Sequence, residues 1–136
     1  LKGRMEKENI NNVYFLDAIS KLEIPDLLEQ MDVLYIGWEN NPLYRFGISP
    51  NKLIDYMMAG KPILHSVNAV NDWVKESESG VSVLAESPEK IARGIEYIFS
   101  LDSKTLSEMG EKGKVFAQRN LNYSILANKI IDFLIQ

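Results

Sequence analysis

Two charged side chains three residues apart, Lys52 and Asp55, carry the clearest chemistry in this chain. They lie in the run Gly47-Ile48-Ser49-Pro50-Asn51-Lys52-Leu53-Ile54-Asp55-Tyr56-Met57-Met58-Ala59-Gly60-Lys61-Pro62, which reads as a loop turning through a glycine into a short helix. Ser49 is the expected N-cap, its hydroxyl accepting a first-turn N–H, and Pro50 suits the first helical position, where no N–H is needed. Gly60 should supply the left-handed residue after the helix, and Pro62 bars its continuation. A lysine in the first turn opposes the helix dipole, a conflict that a bound anion resolves. Asp55 shares a helical face with Lys52 and offers two acceptor oxygens, a match for a pair of sugar hydroxyls. An anion beside a hydroxylated sugar describes a nucleotide. On pattern alone the alternative is an exposed helix whose Lys52 and Asp55 form a weak ion pair.

The elements that must position this run alternate between strand and helix. Residues 1–11 are charged and helix-compatible, and the apolar run at 13–16 (Val13, Tyr14, Phe15, Leu16) predicts a first buried parallel strand. Ser20 and Glu23 have the spacing of a capping box, opening a helix with Leu22, Leu27, Leu28 and Met31 on one stripe. Residues 33–36 predict a second strand, 62–65 a third and 81–84 a fourth. Between the third and fourth, Asn71 is expected to cap a short helix over 72–78 that Gly80 ends. Ser87 and Pro88 open a helix with Ile91, Ile95, Ile98 and Phe99 at core spacing. Another helix spans 105–119, although Gly110 and Gly113 weaken it. The last segment, with Tyr123, Leu126, Ile130, Ile131, Phe133 and Leu134, is an apolar helical end that wants a partner surface. The expected fold is α/β, a Rossmann-like doubly wound parallel sheet of about four strands, with helices on both faces and a helical C-terminal tail.

Composition narrows the function classes. The chain has 136 residues, enough for one domain with a core. Its net charge of −4 argues against a nucleic-acid backbone binder. Locally the balance reverses, because Arg45, Lys52 and Lys61 surround the single Asp55, which suits a small anionic ligand. The absence of cysteine excludes disulfides, thiolate metal sites and cysteine nucleophiles. No apolar run approaches the ~20 residues of a membrane span. The sole histidine, His65, sits at a strand end on the expected ligand side, where a structural role competes with a functional one. The loop at 37–48 follows a strand's carboxyl end, where open α/β sheets place ligands, and it holds Trp38, Glu39, Tyr44 and Arg45.

The run at 47–63 resembles the donor-binding segment of family 4 glycosyltransferases, which are retaining, metal-independent enzymes built of two Rossmann-like domains in the GT-B architecture. It is most similar to the bacterial branch that builds lipopolysaccharide O-antigen and exopolysaccharide. The resemblance runs from about residue 11 to 133. It implies that Asp55 binds the donor ribose and that the backbone of Ser49, Pro50, Asn51 and Leu53, with Lys52 nearby, meets the diphosphate. Gly47 and Ile48 would pass close to the donor sugar or phosphate. Many members carry two glutamates eight residues apart; here Asp55 replaces the second and the first falls on Gly47. Donor-sugar contacts are therefore expected from the loop at 39–46, with Glu39 and Arg45 as candidates. After the first expected strand, where glycine is frequent in the family, this chain has Asp17.

The resemblance also implies partners and limits. Residues 1–136 correspond to a single domain, the truncated C-terminal, nucleotide-sugar-binding half of a GT-B enzyme, and the opening on Leu1 reads as an excised fragment. The expected ligand is a UDP- or GDP-sugar as substrate, with no metal and no other cofactor. The N-terminal acceptor domain would be the natural partner, and without it the fragment should not catalyse. The expected setting is cytoplasmic, with peripheral association of the full enzyme at the inner face of the membrane, and the apolar tail offers a route to self-association. Two other classes compete: a non-catalytic doubly wound interaction module, which would show no nucleotide affinity, and a sugar-nucleotide epimerase such as a UDP-sugar 2-epimerase, which would need catalytic carboxylates and histidines.

Overall fold

A computed structural model describes residues 1–135. Helix α1 (Lys2–Lys7) is followed by a 3-10 turn (Lys21–Glu23) leading into α2 (Ile24–Glu29), strand β1 (Leu34–Gly37) and a second 3-10 turn (Pro42–Phe46). Helix α3 (Asn51–Met58), strand β2 (Ile63–Ser66), helix α4 (Trp73–Ser77) and strand β3 (Gly80–Val83) complete the α/β part. Helices α5 (Pro88–Phe99), α6 (Ser103–Asn120) and α7 (Tyr123–Ile135) follow. The sheet is parallel with order β1-β2-β3, and its register pairs Ile36 with His65 and His65 with Ser82.

The central strand is buried along its whole length, as a parallel strand covered on both faces must be. Its residues alternate between two helical layers. Leu64 faces α5, whose buried Gly94 comes so close that an added Cβ would lie 2.7 Å from Leu64 Cδ1. On the other face Ile63 joins Leu28, Leu34, Ile36, Leu53, Met57, Val74 and Ala117 in the main core. This core seats α3: Leu53 and Met57 are 1% and 0% exposed, so the helix is anchored along one side and free along the other. Burying two such side chains contributes roughly 1.5–3 kcal/mol each.

Several expectations needed correction. The run at 13–16 forms no strand: Tyr14 and Leu16 are 82% and 70% exposed, and three strands rather than four make the sheet. Apolar content marks a segment fit for burial, but a strand exists only where a neighbour takes up its backbone groups, and among the described residues no strand pairs with this run. The capping box at Ser20 and Glu23 is present, with Ser20 N–H donating to Glu23 Oε2 at 2.9 Å and Ser20 Oγ accepting Leu22 N–H at 3.2 Å, but it opens a 3-10 turn, and only Leu28 of the α2 stripe is buried. On α5 only Ile98 of the four expected core residues is buried, and Phe99 is 91% exposed. Asp72, not Asn71, caps α4, accepting the N–H groups of Val74 and Lys75. The left-handed residue ending α4 is Glu78 (φ 55°), which leaves Gly80 to begin β3.

Gly110 and Gly113 have a packing role that propensity alone hides. Both are buried, and with Ala117 they form a flat face by which α6 lies against the end of α3 and the α4–β3 junction. A Cβ at Gly110 would run into the carbonyl of Gly60, and one at Gly113 would sit 2.8 Å from Ser79 Cβ. Helix α7 forms as expected, but none of its residues is buried. Among the described residues no helix is long and apolar enough to cross a membrane.

Candidate functional site

The start of α3 differs from the expected cap by one residue. Pro50, in extended conformation (φ −82°, ψ 119°), is the N-cap, and no side chain caps the helix, so Ser49 lies one step outside. Proline brings the right φ but no hydroxyl, and the first-turn N–H groups stay open. Leu53 N–H is taken by Pro50 carbonyl at 3.0 Å. Among the described residues no protein acceptor is found for the N–H of Ser49, Asn51 or Lys52. Three donors without a protein acceptor thus lie at or just before the positive end of the helix dipole, where an anion is favoured.

Lys52 and Asp55 both project from the exposed side of α3, opposite Leu53 and Met57. No ion pair joins them among the described residues, so neither charge is neutralised by the other. At the far end Gly60 takes the left-handed conformation (φ 65°), as expected for the residue that ends the helix.

The approach to the helix is held by Asn71. Its Oδ1 accepts Ile48 N–H and its Nδ2 donates to Ile48 carbonyl, both at 2.8 Å. Gly47 just before takes φ 101°, ψ 164°, and a Cβ there would lie 3.2 Å from Asn71 Oδ1. The positive φ favours glycine at this position, and a Cβ there would also crowd the Asn71 side chain. The preceding loop is organised in the same manner: Asn41 Oδ1 accepts Leu43 N–H at 2.9 Å, and Val70 N–H reaches Tyr44 carbonyl at 3.2 Å.

Trp38, Tyr44, His65 and Asp72 form one connected structure beneath the loop. The rings of Trp38 and Tyr44 meet edge to face with centroids 5.9 Å apart. Trp38 Nε1–H donates to His65 Nε2 at 3.1 Å, and His65 Nδ1 lies 2.9 Å from Asp72 Oδ1. An indole N–H can only donate, so Nε2 must accept and the imidazole proton sits on Nδ1, directed at Asp72. His65 is fully buried, which makes it a structural residue of the loop base. Burial raises the Asp72 carboxyl, but the hydrogen bonds donated by His65 Nδ1–H and the Lys75 backbone outweigh it and hold the group below the ordinary carboxylate value. The Ser82 hydroxyl, on the strand beside His65, is buried without a hydrogen-bond partner among the described residues.

Beyond the carboxyl ends of the strands lies a broad cleft lined by Asn41, Arg45, Asn68, Val70, Leu84 and Lys90. Of the residues singled out by sequence, only Arg45 borders it; its guanidinium rests over the Phe46 ring at 4.7 Å. Glu39 is exposed nearby. The α3 seat itself is open surface, continuous with the protein's exterior. The expected cap of α4 is Asn71, whereas Asp72 takes that place and Asn71 bonds Ile48 instead; two adjacent cap-forming residues signal that one is free to bond elsewhere.

Residues 1–116 match the family described as "Glycosyl transferases group 1". The chain belongs to this family. Its fold is that of GT-B glycosyltransferases. Over 99% of its length it superposes on a sucrose-phosphate synthase from Thermosynechococcus elongatus with a TM-score of 0.80 and 19% identity. Over 90% it superposes on the C-terminal domain of a glycosyl transferase group 1 family protein, LpcC, from Francisella tularensis, with a TM-score of 0.69 and 15% identity. The chain spans 33% of the first structure's length and 60% of the second's. No curated protein gives a significant sequence match.

Proposed function

We propose that this chain is the nucleotide-sugar-binding half of a retaining glycosyltransferase that moves a hexose from a UDP- or GDP-sugar to a cell-surface glycan. The observation that carries this reading is the uncapped start of α3, where three unspent N–H groups meet Lys52. In this reading the donor diphosphate sits on the N–H groups of Ser49, Asn51 and Lys52, and the Lys52 ammonium offsets charge on the departing diphosphate. Asp55, about one turn further along the same exposed side, accepts from the two ribose hydroxyls. Leu53 serves the site from within, as the anchor that fixes the helix. The sugar then lies towards Gly47 and Ile48, within reach of the loop that carries Arg45 and Glu39.

Transfer also needs a positioned acceptor, which in this reading another domain of the intact enzyme supplies, so residues 1–136 alone would bind donor without turning it over. The apolar α7 is then the surface that meets that domain or a second copy. A bacterial lipopolysaccharide or exopolysaccharide pathway, acting in the cytoplasm at the inner face of the membrane, fits the O-antigen likeness of residues 47–63.

Titration of the full-length protein with UDP, GDP and ADP, read by amide NMR shifts, tests the reading. Shifts clustered on residues 47–55 for one diphosphate support it and identify the base. Absence of binding by all three refutes it and favours an interaction module of the same fold.

A further inference from the structure

We infer that Asn71 is a positioning residue of the donor site: its side-chain amide sets the height and direction from which residues 47–50 enter α3, and so places the three open N–H groups on the diphosphate. This rests on the donor-site reading above. The argument starts from hydrogen-bond capacity. A side-chain amide carries a donor and an acceptor side by side in one plane, as a peptide does. Asn71 uses it to pair with the peptide groups of Ile48 from 23 residues away, at 2.8 Å in each direction. The partners fix which end of the amide is oxygen, since Ile48 N–H can only donate and its carbonyl can only accept.

Two consequences follow for the ligand. Ile48 N–H is consumed by the protein, so the donors offered to an anion begin at Ser49. The glycine before it is held at φ 101°, a backbone setting with many neighbours open to glycine, and the clamp selects among them. Asn71 is held in turn by its neighbour. Asp72 caps α4 and bonds His65, which bonds Trp38, whose ring meets Tyr44, and the Tyr44 carbonyl accepts Val70 N–H. The chain of contacts returns to residue 70, one position from Asn71, and thus closes on itself. A one-ångström error in a binding group is enough to cost orders of magnitude in a tightly oriented site, so a clamp of this kind acts on affinity without touching the ligand.

The test compares nucleoside with nucleoside diphosphate, using uridine, guanosine, UDP and GDP on the full-length protein. Asn71→Ala should weaken the preferred diphosphate by about tenfold and leave the matching nucleoside within about twofold, because the clamp governs the phosphate end. Ser100→Ala serves as reference: Ser100 Oγ donates to Tyr97 carbonyl at 2.7 Å at the end of α5, on the opposite face of the sheet from α3, and should leave both affinities unchanged. Equal loss of nucleoside and diphosphate in Asn71→Ala, or loss of neither, overturns the assignment alone. In the wild-type protein Ile48 N–H should be protected from hydrogen exchange and unshifted by diphosphate, while Ser49, Asn51 and Lys52 shift. An unprotected Ile48 overturns the assignment even where the variant does not fold. Failure of the wild-type protein to bind any diphosphate overturns the donor-site reading and this inference with it.

Discussion

Replacing Gly110 with alanine should destabilise the protein, although alanine is the better helix former. In an exposed helix the exchange gains about 1 kcal/mol. Here the added methyl would sit on the Gly60 carbonyl, with that group's carbon at 2.5 Å and Lys61 nitrogen at 3.1 Å. All three atoms are backbone, and Gly60 is fixed between the end of α3 and the buried Pro62, so no side chain can swing away. Helix α6 must instead retreat by on the order of 1 Å, which separates Gly113 and Ala117 from their contacts as well. Overpacking of this kind costs about 1–3 kcal/mol, and where the obstacle is backbone the upper half of that range applies. The net loss is about 1–2 kcal/mol, equivalent to a melting temperature lower by roughly 4–8 °C in a domain of this size. Urea unfolding followed by circular dichroism measures it. Gly3→Ala on α1, where nothing lies within 4 Å of the new Cβ, is the control and should be neutral or slightly stabilising. A Gly110→Ala protein as stable as wild type would refute the close α3–α6 contact.

Asp55→Ala should lower nucleotide affinity while leaving the urea midpoint unchanged, since the side chain is exposed; an unchanged Kd for UDP- and GDP-sugars would remove the ribose assignment. Lys52→Ala should weaken diphosphates more than nucleosides, and calorimetry showing equal losses would argue against a phosphate contact. Leu53→Ala should cost about 2–5 kcal/mol of stability, because the side chain is 1% exposed beneath the site. The depressed Asp72 carboxyl gives a pH prediction. A carboxylate held below its ordinary value adds stability that is complete above about pH 4 and is lost as pH falls through its folded value. The stability difference between wild type and Asp72→Asn should therefore shrink from pH 6 to pH 3, and a constant difference would show that the charge of Asp72 does not stabilise the fold.

The sequence made the α/β alternation legible because β1, β2 and β3 are short apolar runs bounded by helix signals, and each appears within a residue or so of its expected place. What it could not show was pairing. Residues 13–16 have the composition of a strand, but partners come from tertiary structure, which local pattern does not encode. Caps were legible by type and uncertain by identity. Ser49 is the expected cap with Pro50 first in the helix, whereas Pro50 itself is the N-cap and α3 begins one residue later. Asn71 and Asp72 are both good caps, and the choice fell to Asp72, which also serves His65. The exposed pair Lys52 and Asp55 followed from helical spacing alone. The clamp on Ile48 did not, because its two ends are 23 residues apart.

The loops around the site are pinned by asparagine: Asn41 to Leu43, Asn68 to Ala85 and Asn71 to Ile48. None of these fastenings carries a formal charge, so added salt does not screen them, whereas attraction between Lys52 and an anion fades beyond a Debye length of about 10 Å at 0.1 M. On the proposed donor-site reading, ionic strength therefore acts on the ligand's approach and leaves the receiving backbone in place. The steepness with which affinity falls as salt rises then counts the charges that meet at α3, without a contribution from loops loosening around it.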